Sequence, residues 1–170
     1  KCGHTPNRRV IPIEDMVRKI RVASDSRSSR DFLIIARTDS RTGLGLDEAI
    51  RRGEAYREAG ADVVFIESPE SEAEMQTVSE RIDAPLFANM VNGGRTPLLS
   101  ADRLKELGYA IAIHPALGFL SVGAALDKAY KDLAANGITS PDIDLYSFAE
   151  FNKLLGFEDV WDFEKRYAEI

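Results

Sequence analysis

Residues 32–66 read FLIIARTDSRTGLGLDEAIRRGEAYREAGADVVFI. A short apolar run stands at each end, Phe32 to Ala36 and Val63 to Ile66. Between them, in Leu46 to Glu58, Ala49, Ile50, Gly53, Ala55 and Tyr56 recur near a period of 3.6. The order is strand, helix, strand. Neither apolar run alternates with polar residues, which fits strands buried on both faces, as in a parallel sheet.

Outward from this stretch the unit repeats. Pro85 to Ala88 (PLFA) and Ala110 to Ile113 (AIAI) are further strand candidates. Helical spacing predicts Ser71 to Arg81, then Ser100 to Leu107 with Ser100 as N-cap, then a long helix from Leu117 to Asn136 stopped by Gly137. Upstream, Pro12 to Ala23 reads as a helix with Ile13, Met16, Val17 and Ile20 on one stripe and Glu14 and Asp15 in its first turn. It is expected to follow a strand that the chain lacks. After Gly137 the composition changes, and Phe148, Phe151, Leu154, Leu155, Phe157, Trp161, Phe163 and Tyr167 crowd among acidic residues. So aromatic a tail is expected to dock on the body or on another subunit.

The fold class is therefore α/β. Units spaced about 22 to 30 residues apart match a (β/α)8 TIM-type barrel of ~250 residues, of which this chain supplies about four βα units plus C-terminal helices. A doubly wound sheet is the alternative. The expected division is 1–137, the C-terminal half of a barrel opened by a loop at 1–9, and 138–170, a helical segment.

Composition narrows the partners. The 170 residues are 44% hydrophobic and 29% charged, enough for one sizeable core. The net charge of -6 provides no basic field for nucleic acid or anionic lipid, so neither is expected. No apolar run nears the ~20 residues of a bilayer span. A single cysteine precludes an internal disulfide, and no signal-type segment opens the chain, so a cytoplasmic location is expected.

Chemistry in parallel α/β folds gathers at the carboxyl ends of the strands. The first polar residues there are Arg37, Glu67, Asn89 and His114. Arg, Asn and His suit carboxylates and oxyanions. Polar residues also belong at any strand exit, and Arg37 with Glu67 would equally make a half-buried pair on adjacent strands. The loop VNGGRTP (91–97) has Gly93 and Gly94 beside Arg95 and Pro97. It reads either as an anion-binding turn or as an ordinary one. Lys1 to His4, KCGH, holds the one cysteine in a positive local field that would make its thiol reactive, or else the cysteine is incidental. It is no zinc pattern.

Taken together, KCGH, VIPIEDMVRKIR, FLIIARTD, EAIRRGEAYREAGADVVFIES, ANMVNGGRTPLLS and IHP resemble, in order and spacing, the carboxyl-terminal portion of the isocitrate lyase / phosphoenolpyruvate mutase superfamily. The resemblance spans essentially the whole chain. It implies a Mg2+-dependent barrel enzyme acting on small 2-hydroxy or 2-oxo dicarboxylates or phosphonates. Such enzymes are usually homotetramers that exchange C-terminal helices, which suits the aromatic tail. In the lyase branch Cys2 would protonate the enolate carbon of the departing product, with Gly3 and His4 binding carboxylate. Arg37 would bind substrate and stabilise the enolate oxygen, Glu67 would hydrogen-bond within the site, and Asn89 would hold a carboxylate.

His114 has weaker family support, and Asp39 is not among the family's metal ligands. Those ligands are expected in the first half of the barrel, so none carries over to this chain.

Cys2 argues for a carbon–carbon lyase over the phosphonate mutases, which lack a CGH loop. Val91 is apolar where isocitrate's extra carboxylate would want a polar contact, so the loop looks closer to the branch acting on 2-alkylmalates such as 2,3-dimethylmalate. Cleavage of a 2-alkylmalate or (methyl)isocitrate to pyruvate or glyoxylate and a second carboxylate is the expected reaction. Phosphonomutase, in the manner of carboxyvinyl-carboxyphosphonate phosphorylmutase, and oxaloacetate decarboxylase are alternatives. From a different class comes a non-catalytic half-barrel used for binding or assembly. Its open sheet edges argue against it.

Overall fold

The computed structural model describes residues 9–168. They form α1 (Ile13–Ser26), β1 (Ile35–Thr38), α2 (Arg41–Leu44), α3 (Leu46–Glu58), β2 (Val63–Ile66), α4 (Glu72–Arg81), β3 (Leu86–Asn89), α5 (Ala101–Glu106), β4 (Tyr109–Ile113), α6 (Leu117–Asn136), α7 (Phe148–Leu154) and α8 (Phe157–Tyr167). The chain divides into two compact units, Lys1–Phe119 and Leu120–Ile170.

In the first unit four strands pair in parallel in chain order, β1-β2-β3-β4. A doubly wound sheet reverses its strand order at a switch point, whereas a barrel wall does not. The order is that of consecutive units of a (β/α)8-type barrel.

Period-2 alternation sends one set of strand side chains toward the helices. Val64, Ile66, Leu86 and Ala88 pack there with Ile50 of α3, Met75 and Val78 of α4, and Leu104 of α5. Val64, Met75 and Val78 are wholly buried, each contributing about 1.5–3 kcal/mol. Ala36 joins Ile13 and Ile20 of α1 and Tyr56 of α3 in a second cluster. The opposite face carries Val63, Phe65, Phe87, Ile111 and Ile113. The rings of Phe65 and Phe87 lie 4.7 Å apart there.

Most predicted elements appear within a residue or two of their expected limits. Two differ by more: α1 runs on to Ser26, three residues past Ala23, and the first strand lies at Ile35–Thr38 instead of Phe32–Ala36. Its hydrogen bonds explain the shift. The Phe32 amide donates to the Ser29 carbonyl and its carbonyl accepts from Arg27, so Phe32 belongs to the connection after α1. Arg27 also pairs with Asp62, whose carboxylate accepts from the Ile34 amide at 2.8 Å, and this clamp starts β1 and β2 together.

Pairing carries one irregularity. Leu86 lies opposite Tyr109, but Phe87 lies opposite Ile111, so Ala110 bulges out of β4. Tyr109 thus turns to the helix side, where its hydroxyl donates to the Met75 carbonyl, and Ile111 and Ile113 turn to the other.

The second unit holds most of α6 together with α7 and α8. A capping box of Ser147 and Glu150 starts α7. Val122, Leu126, Tyr130 and Leu133 make an exposed stripe on α6. Among the described residues no helix is long and apolar enough to cross a membrane.

Candidate active site

Arg37, Glu67 and Asn89 belong to three adjacent strands, and the same alternation aims all three to the face that carries Phe65 and Phe87. Arg37 is the third residue of β1, paired with Phe65 of β2; Glu67 follows β2 directly; Asn89 ends β3. The Glu67 amide donates to the Thr38 carbonyl at 3.0 Å, carrying the strand pairing one step beyond β2 and fixing where Glu67 leaves the sheet.

Their side chains meet. Arg37 Nη2 lies 3.2 Å from Glu67 Oε2. Asn89 Nδ2 donates to both Glu67 oxygens, at 3.4 and 3.2 Å. The guanidinium also stacks 4.8 Å over the Phe65 ring and grips Asp39 in a fork, Nε to Oδ2 at 2.9 Å and Nη2 to Oδ1 at 3.0 Å.

Glu67 is 1% exposed while Arg37 and Asp39 remain partly open, so the cluster presents a guanidinium held by one buried and one half-buried carboxylate. Asn89 directs its amide nitrogen at a carboxylate that can only accept when ionised. This leaves its Oδ1 buried and without a partner among the described residues. An orphaned buried acceptor costs about 1–3 kcal/mol, and a site that binds a polar ligand is where such a cost is retained.

The surrounding loops are tied by ions. Arg41, opening α2, pairs with Glu70 at 2.7 Å and with Glu74 of α4, and Arg95 reaches Glu70 at 3.4 Å. The Arg41 hydrogen bond holds the Glu74 carboxyl below the ordinary glutamate range. In the 91–97 loop the Gly94 amide donates to the Val91 carbonyl at 3.1 Å and Gly93 takes a φ of +76°. That amide therefore closes a turn, in favour of the ordinary reading of the double glycine. Val91 is half-buried and Thr96 buried.

His114 immediately follows β4 and is exposed; no hydrogen bond or ion pair joins it to the Arg37 cluster. Cys2, Gly3 and His4 lie outside the described residues. Sequence reasoning missed the Arg37–Asp39 fork, although ARTD puts two opposite charges two residues apart along a strand. It also missed Ser68, whose one visible signal is its place between Glu67 and Pro69.

Magnesium was expected from the resemblance. Among the described residues no group of three or more His, Cys, Asp or Glu side chains is placed to hold a metal. The two carboxylates nearest the site, Asp39 and Glu67, both face Arg37, whose positive charge disfavours a cation beside them. These residues do not form a magnesium centre.

Parallel βα units with a polar cluster at the strand ends define a barrel-type α/β site. Residues 2–134 match the family model described as phosphoenolpyruvate phosphomutase, and the chain belongs to that family. It is 46% identical over 169 residues to the 2,3-dimethylmalate lyase of Eubacterium barkeri, covering 99% of this chain and 58% of that protein. It is 40% identical to the 2-methylisocitrate lyase of Aeropyrum pernix over 171 residues, covering all of this chain and 54% of that protein. A crystal structure of 2,3-dimethylmalate lyase, a member of the PEP mutase/isocitrate lyase superfamily, superposes with a TM-score of 0.87 at 31% identity, covering 98% of this chain and 56% of that one. The chain thus spans between half and three-fifths of the length of these relatives.

Proposed function

We propose that the chain carries part of the active site of a carbon–carbon lyase. Its substrate is a 2-alkylmalate or methylisocitrate-type dicarboxylate, cleaved to a 2-oxo acid and a second carboxylate. The observation that carries this reading is the convergence of Arg37, Glu67 and Asn89 at three adjacent strand ends, in a chain similar to two such lyases.

For 2,3-dimethylmalate the bond between C2 and C3 breaks. The C2 hydroxyl gives its proton to a general base and becomes the carbonyl of pyruvate, and the electron pair of the C2–C3 bond passes to C3 as a propionate enolate. Arg37, preorganised by Asp39, Glu67 and the Phe65 ring, stabilises the charge that develops on the enolate oxygens. Asn89 has two amide hydrogens, and beyond Glu67 it can offer one to a carboxylate. Cys2 delivers the proton to C3, with Gly3 and His4 binding carboxylate from the same loop. Mg2+ would be held by side chains outside the described residues.

A second reading, a phosphonomutase, draws on the name of the matched family model. Cys2 weighs against it.

The apolar stripe of α6 and the aromatic residues of α7 and α8 support a homotetramer in which the C-terminal helices, in 138–170, cross between subunits. A cytoplasmic location completes the reading.

The test uses the intact enzyme with Mg2+. Pyruvate release is measured from 2,3-dimethylmalate and 2-methylisocitrate, glyoxylate release from isocitrate, and decarboxylation with oxaloacetate. The alkylmalate is expected to turn over fastest, and Cys2→Ser to lose most cleavage while still binding inhibitor. Unchanged turnover in Cys2→Ser would remove the thiol from the mechanism, and cleavage of none of the dicarboxylates would overturn the lyase reading.

A further inference from the structure

Immediately after β2 the chain turns through Ser68, with φ +63°, the one non-glycine residue among those described to have a positive φ. Such a conformation crowds Cβ against the following carbonyl and is unfavourable for any residue but glycine. Pro69 follows, and a proline biases the residue before it toward extended backbone, so the left-handed value runs against local preference. Ser68 is 1% exposed, enclosed as tightly as Glu67. Its hydroxyl donates to Glu67 Oε1 at 3.2 Å.

Glu67 thus meets donors on three sides: Arg37 at Oε2, Asn89 across both oxygens, and Ser68 at Oε1. Arg37 and Asn89 come from the neighbouring strands and reach the carboxylate from either side. Ser68 reaches it from the adjacent residue, and the left-handed turn brings the hydroxyl back onto the preceding side chain. Backbone strain at a buried polar turn persists only where the surroundings impose it.

We propose that Ser68 is a positioning residue. Its left-handed turn and its hydroxyl together set the Glu67 carboxylate in the orientation that seats Arg37 and Asn89 against the substrate. The proposal rests on reading this face as the lyase's substrate site.

Ser68→Gly and Ser68→Ala separate the two contributions. Glycine adopts the turn without strain and lacks the hydroxyl together with Cβ, whereas alanine lacks only the hydroxyl and keeps the strain. If Ser68 served the turn alone, Ser68→Gly would equal or exceed the wild type in every measurement. A positioning role instead makes both variants lose about five- to tenfold in kcat, with KM within about twofold, the loss of one hydrogen bond. A second readout needs no turnover. The 13C resonance of the Glu67 side-chain carboxyl, assigned by its absence in Glu67→Gln, is expected to move in both Ser68 variants by a similar amount. A Ser68→Gly enzyme with wild-type kcat and an unmoved Glu67 resonance overturns the proposal and leaves the lyase reading intact. If the wild-type enzyme cleaves none of the dicarboxylates, the lyase reading fails, and the resonance alone decides whether Ser68 positions Glu67.

Discussion

Asn89 Nδ2 donates to both carboxylate oxygens of Glu67, at 3.4 and 3.2 Å, joining β3 to β2 above an apolar floor. An uncharged amide is what this place admits. Asn89→Asp would set a second carboxylate against Glu67, where burial forbids two unscreened charges, and one of the pair must take a proton. The variant is expected to lose about 2–4 kcal/mol of stability at pH 7, by denaturant titration, and to recover part of it as the pH falls toward 5. Equal loss at both pH values would show that the two groups are not coupled.

Arg37 makes a fork to Asp39, an ion pair to Glu67 and a stack on Phe65, and a lysine ammonium reproduces none of that planar geometry. Arg37→Lys is expected to lower kcat/KM by about 10²–10³ in steady-state assays while leaving the unfolding midpoint near that of the wild type. A loss under tenfold would mean that the positive charge suffices without the fork.

Gly60 takes a φ of +107°, and a Cβ there would lie 2.6 Å from the Ser24 hydroxyl and 2.8 Å from its Cβ. Strain and clash act together, and Gly60→Ala is expected to cost more than about 2 kcal/mol. Gly43, in α2 with open space about it, supplies the control: Gly43→Ala gains up to about 1 kcal/mol of helix propensity. Thermal unfolding of the two variants, read side by side, checks the ranking.

Acid sensitivity follows from three carboxylates. The Arg51 and Arg52 hydrogen bonds hold Glu48 at about 2, and Arg27 and Arg41 hold Asp62 and Glu74 below their ordinary ranges. All three release protons more readily folded than unfolded. Their stabilisation is therefore complete above the unfolded values, roughly 4, and is lost as the pH falls from there toward 2. The melting temperature is expected to drop across that interval, less steeply in Asp62→Asn. A melting temperature that holds steady down to pH 2 would contradict the assignment.

The repeat was legible in the chain because hydrophobic period reports directly on burial, and the helices at 46–58 and 117–136 appear with the limits read from it. The start of β1 was not legible, because Phe32 and Leu33 are as apolar as any strand residue. The bonds of Phe32 to Ser29 and from Arg27, made across a connection, remove it from the sheet. At the site the three strand-end residues declared themselves by chemical type, and their mutual distances needed the register. Ser68 could not be found by pattern, since a left-handed serine looks in sequence like any other. The open question of the double glycine also needed coordinates, which place the Gly94 amide inside its own turn.

The extra residue in β4 works as a gear. Because Ala110 is skipped in the pairing, isoleucines 111 and 113 stand on the face beneath the site and Tyr109 stands on the other. Were β4 to pair without that bulge, Ala110 and Ala112 would stand on the site's face, and isoleucines 111 and 113 would turn toward the helices. One unpaired residue thus decides whether branched side chains or bare methyl groups floor the site, with no change in any residue that touches the charge.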